Sequence, residues 1–91
     1  MAEVIITLKI MPSSPEVDLT KITEEATKKV TAFEGEVGKT EEVPLAFGLK
    51  SLNIIFVRDE AKGSTDALED EIATIEGVQS VEVTDVRRAI G

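Results

Sequence analysis

From Ala2 to Met11 apolar and mixed positions alternate, with Val4, Ile6, Leu8 and Ile10 on one face and Ile5, Thr7, Lys9 and Met11 on the other. A period of two predicts a first strand. Pro12-Ser13-Ser14-Pro15 stops it and starts a short connection. Asp18 can accept from the free amides of a following helix, and Leu19, Ile22, Ala26, Val30 and Phe33 recur at steps of three and four, so that helix extends to about Phe33. Gly35 and Gly38 flank a weakly hydrophobic extended stretch ending near Val43. Lys39, Glu41 and Glu42 mark it as an edge strand, because charged side chains there oppose pairing with another chain. Pro44-Leu45-Ala46-Phe47-Gly48 reads as an apolar turn, and Leu49 to Arg58, with Leu52-Asn53-Ile54-Ile55-Phe56-Val57 inside it, as an inner strand. Lys62-Gly63-Ser64-Thr65 closes that strand and supplies a cap for a second helix with Leu68, Ile72 and Ile75 as its buried stripe. Gly77 suits the left-handed position after this helix, and Val78 to Val86 forms a last strand with Val81 and Val83 facing inward.

The order strand, helix, strand, strand, helix, strand is that of the split β-α-β unit. It predicts an α+β, ferredoxin-like β-α-β-β-α-β sandwich, a four-stranded antiparallel sheet with two helices on one face. Leu8, Ile22, Ile54, Leu68 and Val83 belong to five different apolar stripes and should be buried together. No linker or low-complexity stretch divides the chain, so residues 1–91 are expected to form one domain.

Composition narrows the chemistry sharply. The 91 residues include no Cys and no His, which excludes disulfides, zinc fingers, thiol nucleophiles, imidazole bases and a Ser-His-Asp triad. An enzyme reading therefore has almost nothing to stand on. Ten Lys and Arg against eighteen Asp and Glu give a net charge of −8, which argues against nucleic-acid binding, where cations neutralising phosphates supply most of the affinity. Both halves of the chain carry this excess. Locally, 63–86 holds seven acids and no base, and then Arg87 and Arg88 stand together. Apolar runs fall far short of the ~20 residues that span a bilayer, and Met1-Ala2-Glu3 lacks the basic region of a signal peptide. A soluble, cytoplasmic protein without membrane contact is expected.

Several constellations have two readings. Asp66, Glu69 and Asp70 at i, i+3 and i+4 could share a helical face and hold a divalent cation, or be a solvated surface whose acids suit the helix N-terminus. The six glycines form no phosphate-binding motif. Of three Phe residues, Phe33 falls on the helix stripe and Phe56 in the inner strand, leaving Phe47 either to fold over the core or to anchor a partner. Arg87 and Arg88 are either an exposed solubilising pair or positive charge delivered to an anionic pocket on a partner.

Three stretches take the reading further. Val43-Pro44-Leu45-Ala46-Phe47-Gly48-Leu49-Lys50-Ser51-Leu52, Gly63 to Ile72 and Val78 to Arg88 closely resemble the translation elongation factor 1-beta family in its archaeal form, as does the opening Lys9-Ile10-Met11-Pro12. The resemblance implies the same ferredoxin-like fold and one guanine-nucleotide exchange domain over 1–91. It also implies release of GDP from the elongation factor 1-alpha GTPase without covalent chemistry, cofactor or metal of its own. It places the family's basic residue of the partner's magnesium and phosphate site on Arg88, where relatives commonly have Lys and end one residue later; here Ala89-Ile90-Gly91 follow. The family's turn aromatic falls on Phe47, with Ala46 replacing a glycine, so Leu45, Phe47, Gly48, Lys50 and Arg87 are the candidate partner-binding residues. The free protein is expected to be a monomer. A small ferredoxin-like ligand-binding domain, or a structural interaction domain without exchange activity, are the rival readings.

Overall fold

The computed structural model describes residues 2–89. Its elements follow the predicted order: β1 (Glu3–Pro12), α1 (Leu19–Ala32), β2 (Glu36–Pro44), β3 (Lys50–Asp59), α2 (Asp66–Ala73) and β4 (Val78–Ala89). The strands form one sheet in the order β2-β3-β1-β4, antiparallel at every pairing. Both helices pack on one face. This is the α+β, ferredoxin-like arrangement expected from the alternating and helical periodicities.

Asp18 caps α1 by accepting from the Thr20 amide at 2.9 Å, and Leu19, Ile22, Ala26 and Val30 are its buried stripe. They meet Ile6, Leu8 and Ile10 of β1, Leu52, Ile54 and Phe56 of β3, and Leu68 and Ile72 of α2 in one core. Register explains the contact: Leu8 lies opposite Ile54 on one side and Val83 on the other, so these three share a sheet face. Four of the five residues expected to be buried together are buried; Val83 is only partly so. β4 is an edge strand, and the eight-residue α2 is too short to roof its whole length. Truncating Ile54 or Leu68 to Ala should cost roughly 2–5 kcal/mol, seen as a lower denaturant midpoint, because each cavity opens where both layers touch.

Three local readings need correction. Phe33 is not on the helical stripe but at the cap after α1, partly buried. Ile75 lies beyond α2 and only flanks the core. The last strand runs past Val86 to Ala89, which carries Arg87 and Arg88 into the sheet. Thr65 occupies the N-cap of α2 without a side-chain bond to its backbone; its hydroxyl instead lies 3.3 Å from Glu69 Oε2. Gly77 has φ 94°, as its place after α2 required, and a Cβ there would lie 2.8 Å from Val17 Cγ1.

One charged residue belongs to the core. Arg58 continues the inward alternation of Leu52, Ile54 and Phe56 and is buried. Its guanidinium donates from Nε to the Phe33 carbonyl at 3.2 Å, from Nη1 to Gly63 at 3.0 Å and from Nη2 to Lys62 at 3.3 Å, and stacks 4.1 Å from the centre of the Phe33 ring. A forked cation is thus satisfied by backbone oxygens, with no carboxylate among these partners. It pins the β3–α2 connection to the end of α1, and the Lys62–Glu34 ion pair at 2.7 Å fastens the same two segments from outside. Arg58→Met should cost about 2–3 kcal/mol, because the carbonyls it serves lose their donor while still partly shielded from water. Urea denaturation would show it as a lower midpoint at unchanged slope.

Candidate functional site

The β2–β3 connection is a tight hairpin loop. The Leu45 amide donates to the Leu49 carbonyl at 2.7 Å and the Leu49 amide back to Ala46 at 3.3 Å, leaving Ala46-Phe47-Gly48 as a single 3₁₀ turn at the tip. Within it Phe47 has φ 61° and Gly48 φ 76°. Two successive left-handed residues reverse the chain, and glycine takes this conformation at no steric cost. Phe does not, and an L-residue there is held at a cost of about 1–2 kcal/mol. The ring is 92% exposed, so it does not fold back over the core. Leu45 and Leu49 are half-buried beneath it, and Gly48 and Lys50 flank it exposed. The Phe47 tip thus offers a large apolar side chain, and no core contact keeps it there.

The arginine pair sits at the other end of the sheet. Ile5 lies opposite Arg87 and Val4 opposite Arg88, while Val4 also faces Arg58 across β1. Neighbours in a strand point to opposite faces. Arg88 therefore emerges on the helix-covered face and Arg87 on the open face, where its Nε bonds Asp85 at 2.8 Å. A bulge decides which arginine takes which face. Leu8 pairs with Val83 but Thr7 with Asp85, so Thr84 is an extra residue in β4, and the alternation after it is inverted. Val86, 57% exposed, and Arg88 consequently follow Val81 and Val83 on the helix face.

Arg88 is not free in this arrangement. Its Nη2 lies 2.5 Å from Glu60 Oε1 and its Nε 3.2 Å from Oε2, a two-pronged pair reaching past the start of β1. Its hydrogen bonds to the Glu60 carboxylate, and then the charge of Glu60, push the pKa of Arg88 above the ordinary guanidinium value, so the group stays cationic. Glu60 stands on the β3–α2 connection that Arg58 anchors, with its own amide bonded to the Ala2 carbonyl at 3.0 Å.

The six candidate residues thus form two groups. Leu45, Phe47, Gly48 and Lys50 gather at the start of β3, and Arg87 and Arg88 stand level with its end, about 25–30 Å away at ~3.3 Å per residue along the strand. The longest axis of the molecule is 42 Å. Asp66, Glu69 and Asp70 do not assemble a cation site; among the described residues no three metal-ligating side chains come together. Glu60 and Arg58 were not singled out by sequence. For Arg58 a signal existed, a cation at an inward position of an otherwise apolar alternation. Glu60 carried none, because its importance rests on a contact 28 residues away.

Residues 5–89 match the model of the EF-1 guanine nucleotide exchange domain. The chain belongs to that family. It is 46% identical over 89 residues to elongation factor 1-beta of Methanothermobacter thermautotrophicus, covering 97% of this chain and 98% of that one. Against elongation factor 1-beta of Methanobrevibacter smithii it is 47% identical over 88 residues, with the same coverage. Among solved structures it is similar to the ACT domain from a GTP pyrophosphokinase of Chlorobium tepidum, at a TM-score of 0.59 and 20% identity, covering 89% of this chain and 97% of that one. The C-terminal domain of the MgtC protein from Mycobacterium tuberculosis matches at a TM-score of 0.63 and 13% identity, covering 97% and 88%. These two share the fold alone. The matched stretch takes in both the Phe47 turn and the Arg87–Arg88 end of the sheet. Among the described residues no helix is long and apolar enough to cross a membrane.

Proposed function

We propose that residues 1–91 act as one exchange domain that releases GDP from the elongation factor 1-alpha GTPase, working as a cytoplasmic monomer and making no covalent bond. The observation that carries this reading is the match to the exchange-domain family over nearly the whole chain, together with relatives named elongation factor 1-beta that align end to end. The two-ended geometry supplies a mechanism. A P-loop GTPase holds its nucleotide through backbone donors, a lysine and a Mg²⁺ ion bridging phosphate oxygens and a P-loop hydroxyl. A cation presented beside that site competes with Mg²⁺ for the same oxygens and loosens the loop that cradles them. In this reading Arg88 is that cation. Its guanidinium already grips both oxygens of a carboxylate, and the same fork fits phosphate.

Insertion of a hydrated cation needs binding energy from elsewhere. Phe47, with Leu45, Gly48 and Lys50, anchors a different surface of the partner, and about 25–30 Å of rigid sheet fixes the distance between anchor and cation. Arg87 adds positive charge on the open face near the same end. By linkage, a factor that weakens GDP must itself bind the nucleotide-free GTPase more tightly by the same ratio. The direct test is the release of fluorescent GDP from purified elongation factor 1-alpha against excess unlabelled nucleotide. Addition of this protein should accelerate release many-fold. Binding without acceleration would leave only a structural interaction domain.

A further inference from the structure

Arg88 meets any partner with its cation already engaged. We infer that Glu60 is an internal competitor for Arg88, a counter-ion that holds the guanidinium in the free protein and yields it to the anionic site of the GTPase on docking. This rests on the reading of Arg88 given above.

Three observations support it. The pair is two-pronged, so the same Arg88 donors that would grip phosphate oxygens are occupied by Glu60 Oε1 and Oε2. It joins two separately built elements, because Arg88 rides on the end of β4 while Glu60 stands on a connection whose Lys62 and Gly63 carbonyls Arg58 binds together with that of Phe33, and which Lys62 ties to Glu34. And it is open to water, with side-chain exposures of 66% for Arg88 and 42% for Glu60. The last point decides the role. A buried pair would be a permanent brace, since breaking it leaves an uncompensated charge. An exposed pair is worth little on its own and dissociates readily. Glu60 therefore engages the guanidinium without locking it, and each docking event exchanges one pair of anionic oxygens for another.

The handover has a direction that can be measured. With Glu60 neutralised, the partner no longer competes for Arg88, so docking in the productive arrangement should be easier by the small factor that an exposed pair is worth. Glu60→Gln keeps the size of the side chain and the bond from its backbone amide to Ala2. In the intact protein it should lower the factor concentration giving half-maximal GDP release by about two- to fivefold, leaving the maximal rate within twofold of wild type. Glu24→Gln makes the same change of charge on exposed α1, remote from Arg88, and should change that concentration by far less. In an Arg88→Ala background Glu60→Gln should give no gain. The free protein offers a readout independent of exchange: the Arg88 Nε–H resonance in NMR should be distinct in wild type and should collapse toward the solvent-averaged position in Glu60→Gln.

A fall in activity with Glu60→Gln, an equal gain with Glu24→Gln, or a gain that persists without Arg88 would each overturn the handover. If Arg88→Ala remains impaired, the failure is that of Glu60 alone. If Arg88→Ala releases GDP as fast as wild type, the reading beneath has failed and the handover fails with it.

Discussion

Arg88→Ala is expected to slow GDP release at saturating factor by about a hundredfold, the size of loss seen when one preorganised group facing developing charge is removed from a site. Binding should weaken far less, because the anchoring surface lies at the opposite end of the sheet. Arg88→Lys should retain much of the activity, since it keeps the charge while losing the fork. Arg87→Ala should do less than Arg88→Ala. The bulge at Thr84 puts the two side chains on opposite faces, and Arg87 points to the open side of the sheet, with Asp85 as its partner. Stopped-flow release of fluorescent GDP at saturating factor separates these effects from affinity. Raising Mg²⁺ should slow the wild type through competition for the phosphate oxygens, and raising ionic strength should slow association through screening.

Phe47 carries the second large effect. Truncation to Ala should weaken the complex by about 2 kcal/mol, near thirtyfold in affinity, as expected for an exposed aromatic that fills a pocket on its partner. The free domain should remain as stable as before. A stronger variant exploits the backbone: Phe47→Gly removes the side chain from a left-handed residue, so it should raise the stability of the isolated domain by up to about 1–2 kcal/mol while losing the partner. Thermal melting and equilibrium binding would show opposite signs for one substitution. Loss of stability with unchanged affinity would make the ring a structural element and move the docking surface elsewhere.

The layered fold was legible in the sequence because two signals agreed. Strict alternation in Val4, Ile6, Leu8 and Ile10 and a three-to-four repeat in Leu19, Ile22, Ala26 and Val30 can be buried together only by a helix on a sheet, and the order of elements leaves few topologies. The outward turn of Phe47 was half legible: a Phe followed by Gly between two strands marks a reversal, but only its exposure shows that the ring is held away from the core. The fate of the last strand was not legible. Counting alternate residues from Val81 and Val83 assigns Asp85 and Arg87 to the helix face; the single extra residue at Thr84 reverses that assignment and gives the face to Val86 and Arg88. A bulge has no reliable signature in one sequence, because the residue it displaces is marked by its partner strand and not by its own type. Glu60 was hidden for the same reason, as its contact with Arg88 exists only once β1 lies between β3 and β4.

Two ends of one rigid sheet divide the labour of exchange in this mechanism, and the dependence of GDP release rate on factor concentration separates their contributions. Wild type, Phe47→Ala and Arg88→Ala would be compared over the full range with elongation factor 1-alpha carrying fluorescent GDP. Phe47→Ala should shift the half-saturating concentration upward by about thirtyfold and reach nearly the wild-type plateau. Arg88→Ala should keep a half-saturating concentration close to wild type and reach a plateau about a hundredfold lower. If Arg88→Ala reached the wild-type plateau, or if Phe47→Ala lowered the plateau without moving the midpoint, the two roles would be misassigned and the mechanism contradicted.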